Sequence, residues 1–126
     1  MGEPIQVIDA VYSQEIPIVE GDGNAKVLIW PGMGALYRTF QIVTLGANSK
    51  TVQLCHPTSD AAYYVLKGFG RVVDLGTGEA QDLSKGGMVH IDANDRYQFV
   101  ASPDGMRILG GPCPADPSLY AGLKTN

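Results

Sequence analysis

Glycine and proline punctuate this chain at intervals too short for helices. Its 126 residues include 16 glycines and 8 prolines, clustered at points such as Gly21-Asp22-Gly23-Asn24, Pro31-Gly32-Met33-Gly34, Gly46-Ala47-Asn48, Gly76-Thr77-Gly78, Lys85-Gly86-Gly87 and Pro103-Asp104-Gly105. Each cluster suits a tight turn, because glycine accepts positive backbone angles and proline pre-sets φ. Between the turns lie runs rich in β-branched and aromatic residues: Lys26–Trp30, Tyr37–Leu45, Thr51–His56, Ala61–Lys67, Arg71–Leu75, Met88–Asp92, Arg96–Ala101 and Met106–Leu109. Strand-length runs at roughly 8–12-residue spacing are the pattern of a sandwich or barrel. No window sustains a helical apolar period for three turns. The chain is therefore predicted to be all-β.

Length and composition fit one domain with its own core: hydrophobic residues make up 44% and charged residues 17%. The core is expected over about residues 26–110. An N-terminal arm, 1–25, would hold an edge strand at Ile5–Ile8, and a proline-rich tail, 111–126, would be anchored by Leu119 and Tyr120. A net charge of −4, with no lysine–arginine cluster, argues against nucleic acid and an anionic membrane as partners. No apolar run approaches the roughly 20 residues of a membrane span. The N-terminus lacks the basic start and apolar core of a signal peptide. Cys55 and Cys113 make no disulfide framework, so reduced thiols in a cytoplasmic protein are expected. The apolar segments Ile5–Ile8 and Ile16–Val19 could add to a neighbour's sheet edge, which points to a homodimer.

Side chains alternate across a strand, so one inward residue assigns a face. If His56 points inward, so does Leu54, while Cys55 points away and is not paired with His56 as a nucleophile. Ala61, Tyr63 and Val65 would share the inner face, as would Tyr97 and Phe99. Trp30, beside the Pro31 turn, is expected at a rim or interface. Gly32-Met33-Gly34 and Gly76-Thr77-Gly78 lack the third glycine and following helix of a phosphate loop, and are expected to be hairpin turns.

The stretch LCHPTSDAAYYVLKGFG, Leu54 to Gly70, resembles the first half of the cupin signature, and GGMVHIDANDRYQFV resembles the second. The resemblance runs from Gly46 to Ala101. The first half in cupins reads His-x-His, three or four residues, Glu, six residues, Gly. Counting back from Gly68 places Ala61 at the glutamate, with His56 and Leu54 at the two histidines. Counting from Gly86 places Tyr97 at the histidine of the second half. The family implies a single antiparallel jelly-roll barrel, a double-stranded β-helix, open at one end and binding a small molecule.

Of four family metal ligands only His56 survives, so no metal and no cofactor is expected. A site rewired through Asp60 and a Tyr97 phenolate is the alternative. His56 then has two readings: a satisfied strand-end residue, or a general base, since histidine titrates near neutral pH. Tyr97 is either core or the matching acid. A His–Tyr pair of this kind is similar to the metal-independent sugar 3,5-epimerase branch of the cupins. The resemblance thus implies an isomerase, cyclase or lyase working by proton transfer, with His56 as base and Tyr97 as acid, and Asp60 and Tyr63 orienting them. Leu54, Tyr63 and Phe99, with Arg38 and Gln41, are the expected substrate contacts, and His90 is expected to be structural. The other readings are a non-catalytic binding or sensor barrel and a metal-dependent oxygenase.

Leucine and alanine offer no electron pair to a metal. Purified protein dialysed against a mild chelator should carry well under one transition metal per chain. Near-stoichiometric iron, zinc, nickel or manganese by elemental analysis would overturn this.

Overall fold

A computed structural model describes residues 4–125. Eight strands are present among these residues: β1 Val19–Glu20, β2 Gly23–Ile29, β3 Phe40–Leu45, β4 Lys50–Thr51, β5 Asp60–Asp74, β6 Ala80–Ser84, β7 Met88–Ile91 and β8 Tyr97–Cys113. One helical turn, α1 at Pro117–Tyr120, follows. All pairings are antiparallel, in the order β1-β4-β8-β3-β2. The remaining edge of β8 takes β5, which carries β7 beside its first half and β6 beside its second. The sheet curls nearly closed, as the all-β expectation requires.

Two long strands form the spine of this barrel. β5 and β8 pair from Asp60↔Cys113 to Asp74↔Tyr97, with register shifts at Val65/Lys67 and Gly68/Gly70. Gly68 and Gly105 have φ of 77° and 85°, where a Cβ is sterically costly. A Cβ on Gly68 would strike the Gly105 carbonyl. Glycines at this close approach let both strands bend together, so one strand pair serves both halves of the barrel. Apolar side chains alternate inward along it: Ala61, Tyr63 and Val65 on β5, and Phe99, Ala101, Met106 and Ile108 on β8 are all buried. Phe99 and Ile108, with 0% exposure, each contribute roughly 1.5–3 kcal/mol of burial.

Several elements differ from the sequence reading. The runs 61–67 and 71–75 merge into β5, and 96–101 and 106–109 merge into β8, because a bulged strand need not stop at its glycines. β6 was not anticipated; it is polar and mostly exposed, held by its ladder to β5 rather than by an apolar face. Of 51–56, only Thr51 lies in a strand, with an isolated bridge at Leu54. Gly32-Met33-Gly34 is no hairpin turn, since Pro31–Met33 is a 3-10 turn. Gly76–Gly78 does turn β5 into β6. Trp30 is not a rim residue but buried, its ring 5.6 Å from Tyr120.

Ile5–Ile8 forms no strand, and Ile5 and Val7 are exposed. Ile16 and Ile18 pack into this chain's own core. The strands run from Val19 to Cys113, beyond both bounds of the expected core. No helix among the described residues is long and apolar enough to cross a membrane.

Close strand approach makes Gly110 irreplaceable, because a Cβ there would meet the Ala62 carbonyl and the Tyr63 Cα of β5. Gly110→Ala should cost about 3 kcal/mol or more by urea denaturation. Gly78, at φ 82° with open space around it, should cost only about 1 kcal/mol on the same change. Equal losses would show that strand spacing is not the constraint.

Candidate functional site

A two-way backbone bridge brings the signature halves together. Leu54 N–H donates to the Tyr97 carbonyl at 2.8 Å, and Tyr97 N–H to the Leu54 carbonyl at 2.9 Å. The loop beyond Leu54 is fixed when Asn94 N–H donates to the His56 carbonyl at 2.8 Å. His56 and Tyr97 are thereby held inward, each 2% exposed. Their contact, His56 Nε2 to Tyr97 Oη, is 2.6 Å.

The chain of contacts continues in both directions. His56 Nδ1 lies 2.7 Å from Asp116 Oδ2, and Tyr97 Oη lies 2.7 Å from Tyr63 Oη. Asp116 comes from the tail, where it caps α1 by accepting from Ser118 N–H at 3.1 Å and Ser118 Oγ–H at 2.8 Å. Burial works against its charge, but the His56 and Ser118 hydrogen bonds and the nearby imidazole outweigh it, and its pKa falls below the ordinary value. Burial pushes the Tyr97 hydroxyl far up, reinforced by Tyr63, and burial likewise raises Tyr63. Both phenols keep their protons.

These states orient the whole chain. An ionised Asp116 only accepts, so Nδ1–H donates to it. In the neutral imidazole Nε2 then accepts from Tyr97 O–H, and Tyr97 oxygen accepts from Tyr63 O–H. Protonating Nε2 reverses both tyrosine bonds: Nε2–H donates to Tyr97, whose hydroxyl donates to Tyr63. A proton can therefore enter or leave along the chain by rotation of two hydroxyls. Edge-on contacts of Phe99 with Tyr63 and Tyr97, centroids 4.8 and 5.8 Å apart, restrain the rings.

Tyr97 also lines a cavity of about 240 Å³. The ladder registers place its walls on the inner face: Val72 opposes Phe99, Asp74 opposes Tyr97, Gln81 opposes Val72, and Val89 opposes Tyr63. Val73, Leu83, Met88 and Ile91 complete the apolar part, and Asp74, Glu79, Asp95 and Arg96 bring charge. Arg96 Nη2–H donates to the Leu75 carbonyl at 3.2 Å, and Asp74 Oδ1 accepts from Gly76 and Thr77 N–H. A larger, more open hollow of about 390 Å³ beside Lys67, Phe69 and Arg107 touches none of the four linked residues.

The structure brings His56 and Tyr97 into contact, but the carboxylate beside His56 is Asp116 and not Asp60, which was expected to orient the pair. Asp60 does not bond the His56 ring, whose partners are Asp116 and Tyr97; its side chain is half exposed at the start of β5, 3.7 Å from His90 Nε2. It stands one residue before the inward-facing Ala61, so alternation turns it outward. Tyr63 joins the tyrosine chain, and Leu54 and Phe99 are buried core. Gln41 is buried as a structural amide, donating to the Gly110 carbonyl at 3.2 Å and accepting from Tyr120 O–H at 2.6 Å. Arg38 is exposed on the loop before β3 and lines neither hollow. His90 is exposed at the cavity edge, between Asp60 and Asp92. Cys55 points away from His56, its thiol 3.4 Å from the Asn94 carbonyl. Asp116 was missed, although Asp116-Pro117-Ser118 carries an N-cap followed by proline at N1.

The residues do not fit the metal that this kind of site suggests. Leu54 and Ala61 offer no donor, both ring nitrogens of His56 are engaged, and Tyr97 holds its proton. Among the described residues, no group of three or more His, Cys, Asp or Glu side chains could hold a metal ion.

No family model matches this sequence, and no curated protein matches it. Solved structures do. The polyketide cyclase RemF from Streptomyces resistomycificus superposes with a TM-score of 0.71 at 19% identity, over 96% of this chain and 95% of that one. An RmlC-like cupin from Shewanella frigidimarina gives 0.69 at 15% identity, covering 90% and 93%. The chain has the cupin fold. A predicted oxalate decarboxylase from Thermotoga maritima is similar too, at 0.72 and 16% identity, covering 87% of this chain and 100% of its own.

Two consequences of this buried network are measurable. Tyr97→Phe leaves the Tyr63 hydroxyl and His56 Nε2 unpaired, and should cost about 1–3 kcal/mol for each. For Asp116 the folded pKa is depressed, so its stabilisation is full above the unfolded carboxylate value and lost as pH falls through the folded one. Wild type should exceed Asp116→Asn by a constant margin above about pH 5, closing on further acidification. A margin independent of pH down to the acid limit would contradict the ionised carboxylate.

Proposed function

We propose that this chain is a metal-independent cupin enzyme of the isomerase, cyclase or lyase type, acting on a small molecule held in the 240 Å³ cavity. The observation that carries the reading is the unbroken Asp116–His56–Tyr97–Tyr63 chain, with Tyr97 at the cavity wall. Asp116 fixes the tautomer, His56 is the proton store, and Tyr97, the one member of the chain that lines the cavity, is the group assigned to exchange a proton with substrate. When a substrate basic atom takes the Tyr97 proton, Tyr97 oxygen is recharged from Nε2–H of a protonated His56. When substrate gives up an acidic proton, the same bonds run in reverse to His56. The imidazolium so formed is stabilised by the Asp116 carboxylate.

The cavity wall carries Asp74, Glu79 and Asp95 against Arg96, so a neutral or cationic small molecule suits it better than an anion. Two solved structures of similar fold are a polyketide cyclase and an ectoine synthase, which fits a ring-forming or isomerising chemistry here.

A non-catalytic binding barrel is the second reading, favoured by one fact. No buried side-chain polar atom among the described residues lacks a partner, as in a network that merely holds the core together.

Turnover separates the two. A metabolite panel screened by thermal shift supplies a ligand, and its conversion is followed in wild type, Tyr97→Phe and His56→Gln. Loss of an acid or base should slow conversion about 10²–10⁴-fold while ligand still binds. Binding without conversion in wild type would establish the binder, and conversion that survives both substitutions would remove the pair from the chemistry.

A further inference from the structure

We propose that Tyr120 is the positioning residue of this site: its anchorage to Gln41 and Trp30 sets the Asp116 carboxylate against His56, so the relay exists only while the C-terminal segment is docked. The inference rests on the proton-relay reading above and adds what controls it. Asp116 belongs to no strand. It caps a helix of four residues, and a single helical turn has no stability of its own in water, since nucleation is unfavourable. Its place must come from tertiary contacts.

Those contacts are concentrated at Tyr120, four residues on. Its ring lies 5.6 Å from that of Trp30, and its hydroxyl donates to Gln41 Oε1 at 2.6 Å. Gln41, 1% exposed on β3, passes the connection to β8 through its bond to the Gly110 carbonyl. The carboxylate is thus referred to the same strand pair that carries Tyr97. Leu119 and Leu123 pack beside Tyr120 on the core. Farther out, Gln14 and Lys124 exchange two hydrogen bonds of 2.8 and 3.0 Å. Within the helix cap, Ser118 holds only Oδ1 and leaves Oδ2 for His56. Loosening Tyr120 would therefore withdraw the acceptor from Nδ1–H without touching His56, Tyr97 or the cavity wall. Nδ1 and Nε2 would then compete for the single imidazole proton.

The test reads the tautomer, which a residue that merely fills the core would not alter. The chain has two histidines, His56 and His90, so ¹⁵N-labelled histidine gives an assignable spectrum. Wild type should show a far-downfield Nδ1 proton from His56, absent in Asp116→Asn, with ¹⁵N shifts of a single tautomer. Tyr120→Ala, with the native β-sheet circular dichroism, should lose that proton signal and show mixed-tautomer shifts. A wild-type signal and tautomer in Tyr120→Ala would overturn the inference and leave the relay standing. No signal in wild type would overturn both. If Tyr120→Ala does not fold, Tyr120→Phe decides: solvent exchange of the Nδ1 proton should quicken about tenfold on loss of the anchoring hydrogen bond, and an unchanged rate would overturn the proposal.

Discussion

Everything in this barrel depends on the pairing of β5 with β8. Each strand is too long to lie in one flat sheet of so small a protein, and the pair bends where Gly68 meets Gly105. Beyond the bend, β8 exchanges its other neighbour from β4 to β3, while β5 exchanges β6 for β7. The two ends of one ladder thus become opposite parts of the wall. Tyr63 and Tyr97 come from well-separated positions on this ladder, opposed to Gly110 and Asp74 respectively. Curvature is what brings their hydroxyls to 2.7 Å.

How much of this could be read from the residues depended on how local the cause was. Turn chemistry and alternation are local, and they located most strands and put His56, Tyr63, Tyr97 and Phe99 on one face. Continuity across a bulge is not local: Gly68 and Pro103-Asp104-Gly105 look like turns until the partner strand is known. β6 escaped because Ala80–Ser84 has little apolar character, and its place follows from an open ladder edge on β5. Asp60 and Asp116 illustrate the same division. The first is near His56 in sequence but is turned outward by a one-residue offset; the second is 60 positions away and is delivered by a tail whose docking no periodicity encodes.

The buried network also illustrates how environment divides labour among like groups. The phenols of Tyr63 and Tyr97 are desolvated and remain neutral, whereas the Asp116 carboxylate, desolvated too, is kept ionised by donors aimed at it. One anion at the end of a file of neutral groups polarises every hydrogen bond in the same sense. Symmetry between the two tyrosine orientations is removed before any ligand arrives.

The arrangement of the ladder also governs how such a chain comes into being on the ribosome. β8 follows all the other described strands in the chain, yet it is the partner of β3, β4 and β5. Until it is synthesised, β3 has only β2, while β5 has only β6 and β7 and presents one long unpaired edge. Vectorial synthesis therefore yields hairpins with open apolar faces, and closure must wait until β8 has emerged. Non-local pairing of this kind is slow to form and exposed to aggregation, so the feature that gives the finished barrel its curvature is also the one that makes the nascent chain vulnerable.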